Sequence, residues 1–202
     1  MGTENPPVVR RNFLLEIFRT SDAEQAMQFA QESLEGLHGK ETLDLFFNQS
    51  VFLQTGVLHS SDCETARNLG IPVWQAGHLG GSIVCFPGDL SICLTTWGDT
   101  VPDFGKQCMQ ACIDALRERH IYLTVDGNDV LARHKKVASW AKSHSISGWV
   151  QTVAHFSVTV DVDLIRMLCT KPMNKIPGAL KDYGITADEL WQRISALTGI
   201  KE

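Results

Sequence analysis

The chain has 202 residues, 44% of them hydrophobic, and a domain of this size can bury roughly 70% of its unfolded surface in one core. A formal net charge of -5 and the absence of any Lys/Arg run longer than two residues argue against a nucleic-acid partner or an anionic membrane surface. Residues 1–11 lack the apolar core of a signal peptide, and no later stretch reaches the length of a membrane span. We predict one cytoplasmic domain over residues 1–202, with a small-molecule or protein partner.

Two capping boxes predict helices in the first third of the chain. Ser21 and Glu24 are spaced to satisfy backbone N–H groups at a helix start, and the apolar period that follows predicts a helix over 21–36 that ends at Gly36. Ser61 and Glu64 repeat the device before a short helix that stops at Gly70. The segment 51–54 between them predicts a strand.

The middle of the chain predicts a sheet interrupted by glycine-bearing turns. Strands are predicted at 82–86 and 91–96, followed by a helix whose apolar residues lie between Phe104 and Leu116. A strand over 121–125 and a turn at Asp126-Gly127 come next. Lys136 opens a further predicted strand, 137–141.

The last third combines a strand pattern with a final helix. Phe156, Val158, Val160 and Val162 alternate with polar residues, which predicts a strand with His155 on the face opposite the core. A capping box at Thr186 predicts a helix that ends at Gly199. Because helices and strands are mixed throughout, the pattern predicts an α/β or α+β fold.

The six cysteines are predicted to be reduced. Cys85, Cys93 and Cys169 lie in apolar runs, where a free thiol behaves as a small hydrophobe. Cys108 and Cys112 are four residues apart on a predicted helix, but no second pair with metal-ligand spacing accompanies them. We therefore predict core thiols and no metal site.

Three features could carry chemistry. The glycine-bearing segment 77–82 could bring backbone amides close to a ligand, although most such segments are only turns. Lys136, after Lys135, could hold a carboxylate or phosphate as a point charge, or could be a solvated surface lysine. His155 on the polar face could likewise be a surface histidine. These patterns alone leave the function open.

In order and neighbourhood, these features resemble the lipoate protein ligases and the related octanoyltransferases, within the biotin and lipoate protein ligase fold. The resemblance covers roughly residues 45–185 and depends on several short motifs in register. These motifs are the segments 48–56, 70–73, 80–90, 128–130, 136–141 and 154–164.

The resemblance implies a catalytic domain with a mixed β-sheet flanked by helices. It also implies transfer of a lipoyl or octanoyl group, through an acyl-adenylate, to a lysine of a small lipoyl carrier domain, with lipoate or octanoate, ATP and Mg²⁺ involved. Lys136 would stabilise the charge that develops during transfer, in an enclosed slot floored by Gly80 and Gly81. The other implied substrate-binding residues are Gly77, His78, Ser82, Asn128, Asp129, Ser139 and His155.

Departures from the family pattern keep alternatives open. The arginines that precede the glycines in the family are replaced at Gln75-Ala76 or Gly77-His78, and a guanidinium is what binds phosphate or carboxylate bidentately. A non-catalytic module that binds an acyl ligand or a partner is therefore one alternative. Octanoyl transfer through a covalent intermediate on Cys169 is another. The small C-terminal domain common in ligases is not seen, which implies an accessory subunit or only the transfer half-reaction.

Overall fold

The computed structural model describes residues 15–56, 61–75 and 81–200. The helices are α1 (Ala23–Glu35), α2 (Cys63–Asn68), α3 (Phe104–Glu118), α4 (Val162–Leu168) and α5 (Ala187–Thr198). The strands are β1 (Glu16–Thr20), β2 (Thr42–Phe47), β3 (Phe52–Thr55), β4 (Val73–Gln75), β5 (Ser82–Cys85), β6 (Leu90–Trp97), β7 (Leu123–Asp126), β8 (Asp129–Ala132), β9 (Lys135–His144), β10 (Trp149–Phe156) and β11 (Ile176–Pro177).

Two sheets organise the described chain. The larger sheet has the order β1-β2-β6-β10-β9-β8-β7, with β11 paired to β9, and the smaller sheet has the order β4-β3-β5. The larger sheet is mixed, because β1 pairs β2 in parallel whereas β2, β6, β10, β9, β8 and β7 pair antiparallel. The predicted mixed sheet flanked by helices is confirmed.

Strand alternation divides the larger sheet into two unlike faces. One face carries the main hydrophobic core with α3 and α5, including Leu43, Ile92, Ala154 and Phe156. The other face packs against α1 and the smaller sheet through a second cluster that includes Met27, Phe46 and Phe52. On the outer face of the smaller sheet, Leu53 packs with residues of α2 and α4. The layers are therefore helices, larger sheet, a layer of α1 and the smaller sheet, and outer helices.

The predicted helices form; Thr186 caps α5 as predicted, whereas the caps of α1 and α2 each differ by one residue from the prediction. The side chain of Asp22, not Ser21, accepts hydrogen bonds from the backbone N–H groups of Glu24 and Gln25 at the start of α1. Asp62, not Ser61, caps α2 through the N–H of Thr65. A carboxylate favours the positive end of the helix dipole, which explains the preference for the neighbouring aspartate. Gly36 ends α1 at φ +78°.

The strand predicted from the alternation at 156–162 is wrong, and α4 was not predicted. The actual strand, β10, lies upstream and ends at Phe156. Beyond it, the backbone N–H groups of Val158 and Thr159 bond to the carboxylate of Asp89 instead of to a neighbouring strand. Asp161 then caps α4 by accepting from the N–H groups of Asp163 and Leu164. Hydrogen bonds to two aspartates, the distant Asp89 and the local Asp161, thus override the period-two pattern.

The cysteines of the described residues are all free, as predicted. Cys85, Cys93, Cys108 and Cys112 are buried, whereas Cys169 is half-buried. Within the same residues no group of three or more His, Cys, Asp or Glu side chains could hold a metal ion. None of the described helices is long and apolar enough to cross a bilayer.

Candidate functional site

The candidate site lies on the polar face of the larger sheet, where cross-strand pairing aligns side chains from four strands. His155 on β10 pairs with Ser91 on β6 and with Ser139 on β9. Ser139 in turn pairs with Asp129 on β8. Directly paired residues project from the same face of a sheet. The four side chains therefore form one row across the sheet.

Lys136 joins this row through a bulge at the start of β9. Lys136 pairs with Leu131, and the register then shifts so that Val130 pairs with Ala138. The bulge places Lys136 on the same face as Asp129, and its Nζ lies 2.9 Å from Asp129 Oδ1. Lys136 is 38% exposed. Its ammonium is therefore held by an ion pair at the start of β9 and remains partly exposed. The enclosed slot floored by Gly80 and Gly81 stays a prediction, because Gly80 lies outside the described residues.

A second lysine binds the same aspartate. The Nζ of Lys175 lies 2.7 Å from Asp129 Oδ2 and 2.8 Å from Asp126 Oδ2. Partial burial would raise the pKa of Asp129, but the hydrogen bonds from Lys175 and Lys136 outweigh it and lower that pKa. Asp129 is thus an ionised anchor between two ammonium groups. Lys175 lies immediately before β11, and β11 pairs with β9 at Lys135 and Lys136.

His155 is buried, not exposed. Its Nδ1 lies 3.0 Å from the hydroxyl oxygen of Ser91, and its Nε2 lies 3.7 Å from Asp89 Oδ2. Burial lowers the pKa of His155 to about 4, and the positive charge of Lys136 contributes to the shift. The imidazole is therefore neutral at neutral pH.

Asp89 connects the β5–β6 turn to the end of β10. Its Oδ2 accepts from the N–H of Phe86, and its Oδ1 accepts from the N–H groups of Val158 and Thr159, at 2.8 to 3.0 Å. Burial raises the pKa of Asp89 to about 7, although these three bonds lower it. Asp89 therefore holds the backbone at Phe86, Val158 and Thr159 in place close to His155.

A narrow pocket opens on the same face, between the larger sheet, α1 and the smaller sheet. The space open to the centre of a water molecule is about 30 Å³, which is room for only a few waters. Ser91 lines this pocket and also contacts His155, so the pocket adjoins the row of polar side chains at Ser91. The remaining lining residues are Met27, Ala30, Gln31, Asp44, Phe46, Gln54, Trp74, Cys93, Gln151 and Val153.

The structure distributes the other predicted residues unevenly. Gly77, His78 and Gly80 lie outside the described residues, so their predicted roles remain predictions. Gly81 is exposed and accepts a hydrogen bond from the N–H of Gly56, and Ser82 is half-buried at the start of β5.

Asn128 lies exposed in the β7–β8 turn, where its backbone oxygen accepts from the N–H of Trp140. It is next to Asp129 in the chain and therefore close to the lysine cluster.

Cys169 lies apart from the lysine cluster and from the pocket. Cys169 follows α4, whose Leu168 packs on the outer face of the smaller sheet. The backbone of Cys169 forms an isolated antiparallel β-bridge with that of Ser61. Burial raises the pKa of Cys169, so its thiol is protonated at neutral pH. These features are those of a packing thiol, not of an activated nucleophile.

The sequence interpretation missed several groups that the fold brings to this face. They are Asp44, Asp89, Ser91, Gln151 and Lys175. One sequence signal was available for Asp44, because it is the single charge inside the apolar run Leu43–Phe47. Lys175 carries no local signal, since its partners Asp126 and Asp129 lie more than forty residues upstream.

Solved structures similar to this chain include lipoate protein ligases. A bipartite lipoate protein ligase with its E2 lipoyl domain, from Thermoplasma acidophilum, matches at a TM-score of 0.69 and 16% identity, covering 93% of this chain and 84% of that one. Lipoate-protein ligase A bound with ATP matches at 0.70 and 16%, covering 93% and 85%. A T. acidophilum protein assigned as a lipoate protein ligase, with bound lipoic acid, matches at 0.68 and 15%, covering 93% and 86%.

No protein-family model matches the sequence, and no curated protein matches it. At 15–16% identity, likeness in three dimensions is evidence about the backbone and not about individual side chains. Such likeness over more than nine-tenths of this chain nevertheless defines the architecture. The chain therefore has the fold of the lipoate protein ligases, a mixed sheet flanked by helices.

Proposed function

We propose that this protein attaches a lipoyl or octanoyl group to a lysine of a small carrier domain, through an acyl-adenylate. The observation that carries the proposal is the joint position of the pocket and Lys136 on one face of a sheet with this fold. Ser91 lines the pocket and contacts His155, and Lys136 lies on the same face of the sheet as His155. A pocket on the same face as an ammonium group suits an acyl chain with an anionic end.

The chemistry requires two group transfers. In the first, the acyl carboxylate attacks the α-phosphorus of ATP, pyrophosphate leaves, and a mixed anhydride with AMP forms. In the second, the neutral amine of the carrier lysine attacks the acyl carbon, the bond to AMP breaks, and the amine loses its proton to solvent. Negative charge develops on oxygen in both steps, and Lys136 stabilises it electrostatically.

The ion pair with Asp129 prepares Lys136 for this task. A lysine side chain has many rotamers, and the 2.9 Å contact holds its ammonium in one region before substrate binds. The partial exposure of Lys136 leaves access for the carrier lysine. Lys175 adds a second positive group on the same aspartate and would help to hold phosphate oxygens.

ATP, Mg²⁺ and partners belong to the same proposal. Since the described residues offer no acidic cluster for a metal ion, Mg²⁺ would arrive with the phosphates of ATP. One structural neighbour is a bipartite ligase with its E2 lipoyl domain. By analogy, the acceptor here would be a lipoyl-type domain in the cytoplasm, and adenylation would use an accessory subunit.

A mass measurement on the acceptor tests the proposal. The full chain is mixed with an E2 lipoyl domain and either lipoate plus Mg-ATP or presynthesised lipoyl-adenylate. The second mixture bypasses adenylation and its accessory subunit. We expect the acceptor mass to rise by one lipoyl group with lipoyl-adenylate. An unchanged acceptor in both mixtures, with a folded protein, would remove the proposal.

Adjacent lysines provide a matched pair of variants. Lys136→Ala should lower the rate of transfer by about 10²- to 10³-fold, the usual loss when one group that stabilises a developing oxyanion is removed. Lys135→Ala removes an exposed lysine at the neighbouring position and should leave the rate within about twofold. Equal rates for both variants would remove Lys136 from the mechanism.

A binding module without catalysis is the second candidate. The observations that favour it are the exposed Gln75 in the region where the family carries arginine, and the neutralisation of Lys136 by Asp129. Calorimetry with lipoate and with a lipoyl-adenylate analogue separates the two candidates. Binding without any transfer to the acceptor favours the module.

A further inference from the structure

The turn between β8 and β9 has a strained backbone close to Lys136. Ala132 pairs with Lys135, so the turn has two residues between the strands, Arg133 and His134. Their φ angles are +48° and +66°, as in a type I′ hairpin turn. Asparagine and glycine adopt this backbone readily, whereas arginine and histidine are strained there. Because strained residues concentrate at functional sites, we expect these two side chains to have a role beyond the turn.

Aromatic contacts hold the turn in place and leave it accessible. The ring centroids of His134 and Tyr122 lie 5.5 Å apart, and the N–H of Arg133 donates to the backbone oxygen of Tyr122 at 2.9 Å. The guanidinium carbon of Arg133 lies 5.9 Å from the ring centroid of Tyr183. Tyr122 is 61% exposed, and Arg133 and His134 are also exposed. Tyr122, Arg133 and His134 therefore form one preorganised surface, the β8–β9 turn surface.

The turn surface extends over the face of the larger sheet that carries Lys136. Lys136 pairs with Leu131, and Leu131 pairs with Thr124 on β7. Tyr122 precedes Thr124 by two residues and so projects from the same face. His134 contacts Tyr122 and precedes Lys136 by two residues, at most about 7 Å between Cα atoms. A macromolecule that reaches Lys136 on this face therefore comes close to the turn surface.

The size of a protein interface indicates which molecule would cover this surface. A standard interface buries about 800 Å² on each partner, which corresponds to a disc of roughly 16 Å radius. A carrier domain centred on Lys136 would therefore cover Tyr122 and His134. Among the described strands, β7 is at the edge of the larger sheet, so no further strand of this sheet covers Tyr122.

The charge of the turn surface favours an acidic partner. Among the described residues, no carboxylate pairs with the guanidinium of Arg133. The chain has no Asp or Glu between Val130 and Val160, although its formal net charge is -5. The acids of β7 and β8, Asp126 and Asp129, are both paired with Lys175. An acidic carrier is therefore repelled by the net charge of the chain and attracted by the turn.

We infer that the turn surface docks an acidic face of the carrier domain, next to its acceptor lysine. This inference rests on the proposed function, because it assumes that the acceptor lysine is presented to Lys136. Tyrosine and arginine are enriched among the side chains that dominate interface energies, and a two-residue turn loses little freedom on binding. Asparagine and glycine would relieve the strain of the turn but would remove the docking side chains.

The double variant Arg133→Asn/His134→Gly tests the inference, because it introduces the unstrained turn sequence. Calorimetry measures its binding to an E2 lipoyl domain that has carboxylates beside the acceptor lysine, without an acyl donor. We expect the variant to bind at least about tenfold more weakly than the wild type, although its midpoint of thermal unfolding is no lower. Wild-type affinity in the folded variant would overturn the inference and leave the proposed function standing.

Transfer kinetics with presynthesised lipoyl-adenylate separate docking from chemistry. Arg133→Gln should raise KM for the lipoyl domain about five- to tenfold and keep kcat within about twofold, because it removes a binding contact and not a group at the reacting atoms. Arg67→Gln, the same change at an exposed residue of α2, should leave both constants unchanged. A fall in kcat at unchanged KM would contradict the docking role. A wild-type chain that neither binds nor acylates the domain would remove the proposed function, and this inference with it.

Discussion

The two faces of the larger sheet are made by the same strands but differ in chemistry. On the face covered by α3 and α5, most positions of β2, β6 and β10 hold apolar core side chains, among them Leu43, Leu45, Leu90, Ile92, Leu94, Ala154 and Phe156. On the opposite face the alternate positions of those strands hold Asp44, Ser91, Cys93, Gln151 and His155. Both faces are largely buried.

This difference separates stability from function. The apolar face needs no polar group, because hydrophobic burial alone favours it. The polar face keeps two acids and a histidine buried against their desolvation cost. A chain that needed only stability would gain by replacing Asp44, whose Oδ1 has no partner among the described residues, with an apolar residue. We therefore expect substitutions on the two faces to have opposite consequences for stability and ligand binding.

The largest loss of stability is expected on the apolar face. Phe156→Ala should reduce the free energy of unfolding by about 3–5 kcal/mol, because a fully buried aromatic ring leaves a cavity. Urea denaturation followed by circular dichroism measures the change. Tyr122→Ala, at a ring that is 61% exposed, should stay within about 0.5 kcal/mol. Similar losses for the two variants would contradict the assignment of the core.

A smaller loss of stability is expected at Asp89, whose carboxylate accepts hydrogen bonds from backbone N–H groups. Asp89→Ala would leave the N–H groups of Phe86, Val158 and Thr159 without their acceptor. We expect a loss of about 2–4 kcal/mol in the free energy of unfolding. Asp89→Asn retains one oxygen acceptor and should lose less. If both variants were as stable as the wild type, Asp89 would have no structural role.

The third prediction concerns Asp44 on the polar face and the pH dependence of the free energy of unfolding. The raised pKa of Asp44 means that, above the pKa of the unfolded chain, the folded chain keeps a proton that the unfolded chain has lost. Stability from this group is therefore full at low pH and declines as pH rises. Relative to the wild type, Asp44→Asn should gain up to about 1.4 kcal/mol of stability for each pH unit between pH 5 and 7.

Urea denaturation of both proteins at pH 5, 6 and 7 measures this difference. Contributions from Asp89 and His155 are common to the two proteins and cancel. A difference in the free energy of unfolding that does not change with pH would show that Asp44 is ionised in the folded chain.

The smallest effect is expected outside both faces, at Cys169. Cys169→Ser should leave the rate of acyl transfer within about twofold, since the protonated thiol lies at the end of α4 and away from the pocket. Acceptor mass against time measures the rate. A loss of more than about tenfold, together with a covalent acyl adduct on the wild-type chain, would favour octanoyl transfer through this cysteine.

Part of this architecture was predictable because its causes are local. The starts of α1, α2 and α5 depend on side chains within three residues of the first turn, at Asp22, Asp62 and Thr186. The ends of α1 and α5 depend on Gly36 and Gly199 in the left-handed region. The strand β9, which begins at Lys135, was also predicted from local composition. The same local view misplaced the last long strand, because the acceptor for Val158 and Thr159 is Asp89, about seventy residues away.

The sequence by itself determined the fold class, four of the five α-helices of the described residues (α1, α2, α3 and α5) and the choice of Lys136 as the residue to test. Only the tertiary structure decided which side chains surround it. Asp44 meets Cys93, and Lys175 meets Asp129, through strand registers and a returning segment that close loops of more than forty residues. Such pairings depend on the packing of whole sheets, since one residue of slip would move every side chain to the other face. For that physical reason, the sequence could not predict which side chains share the polar face, among them Asp44, whose Oδ1 has no partner among the described residues.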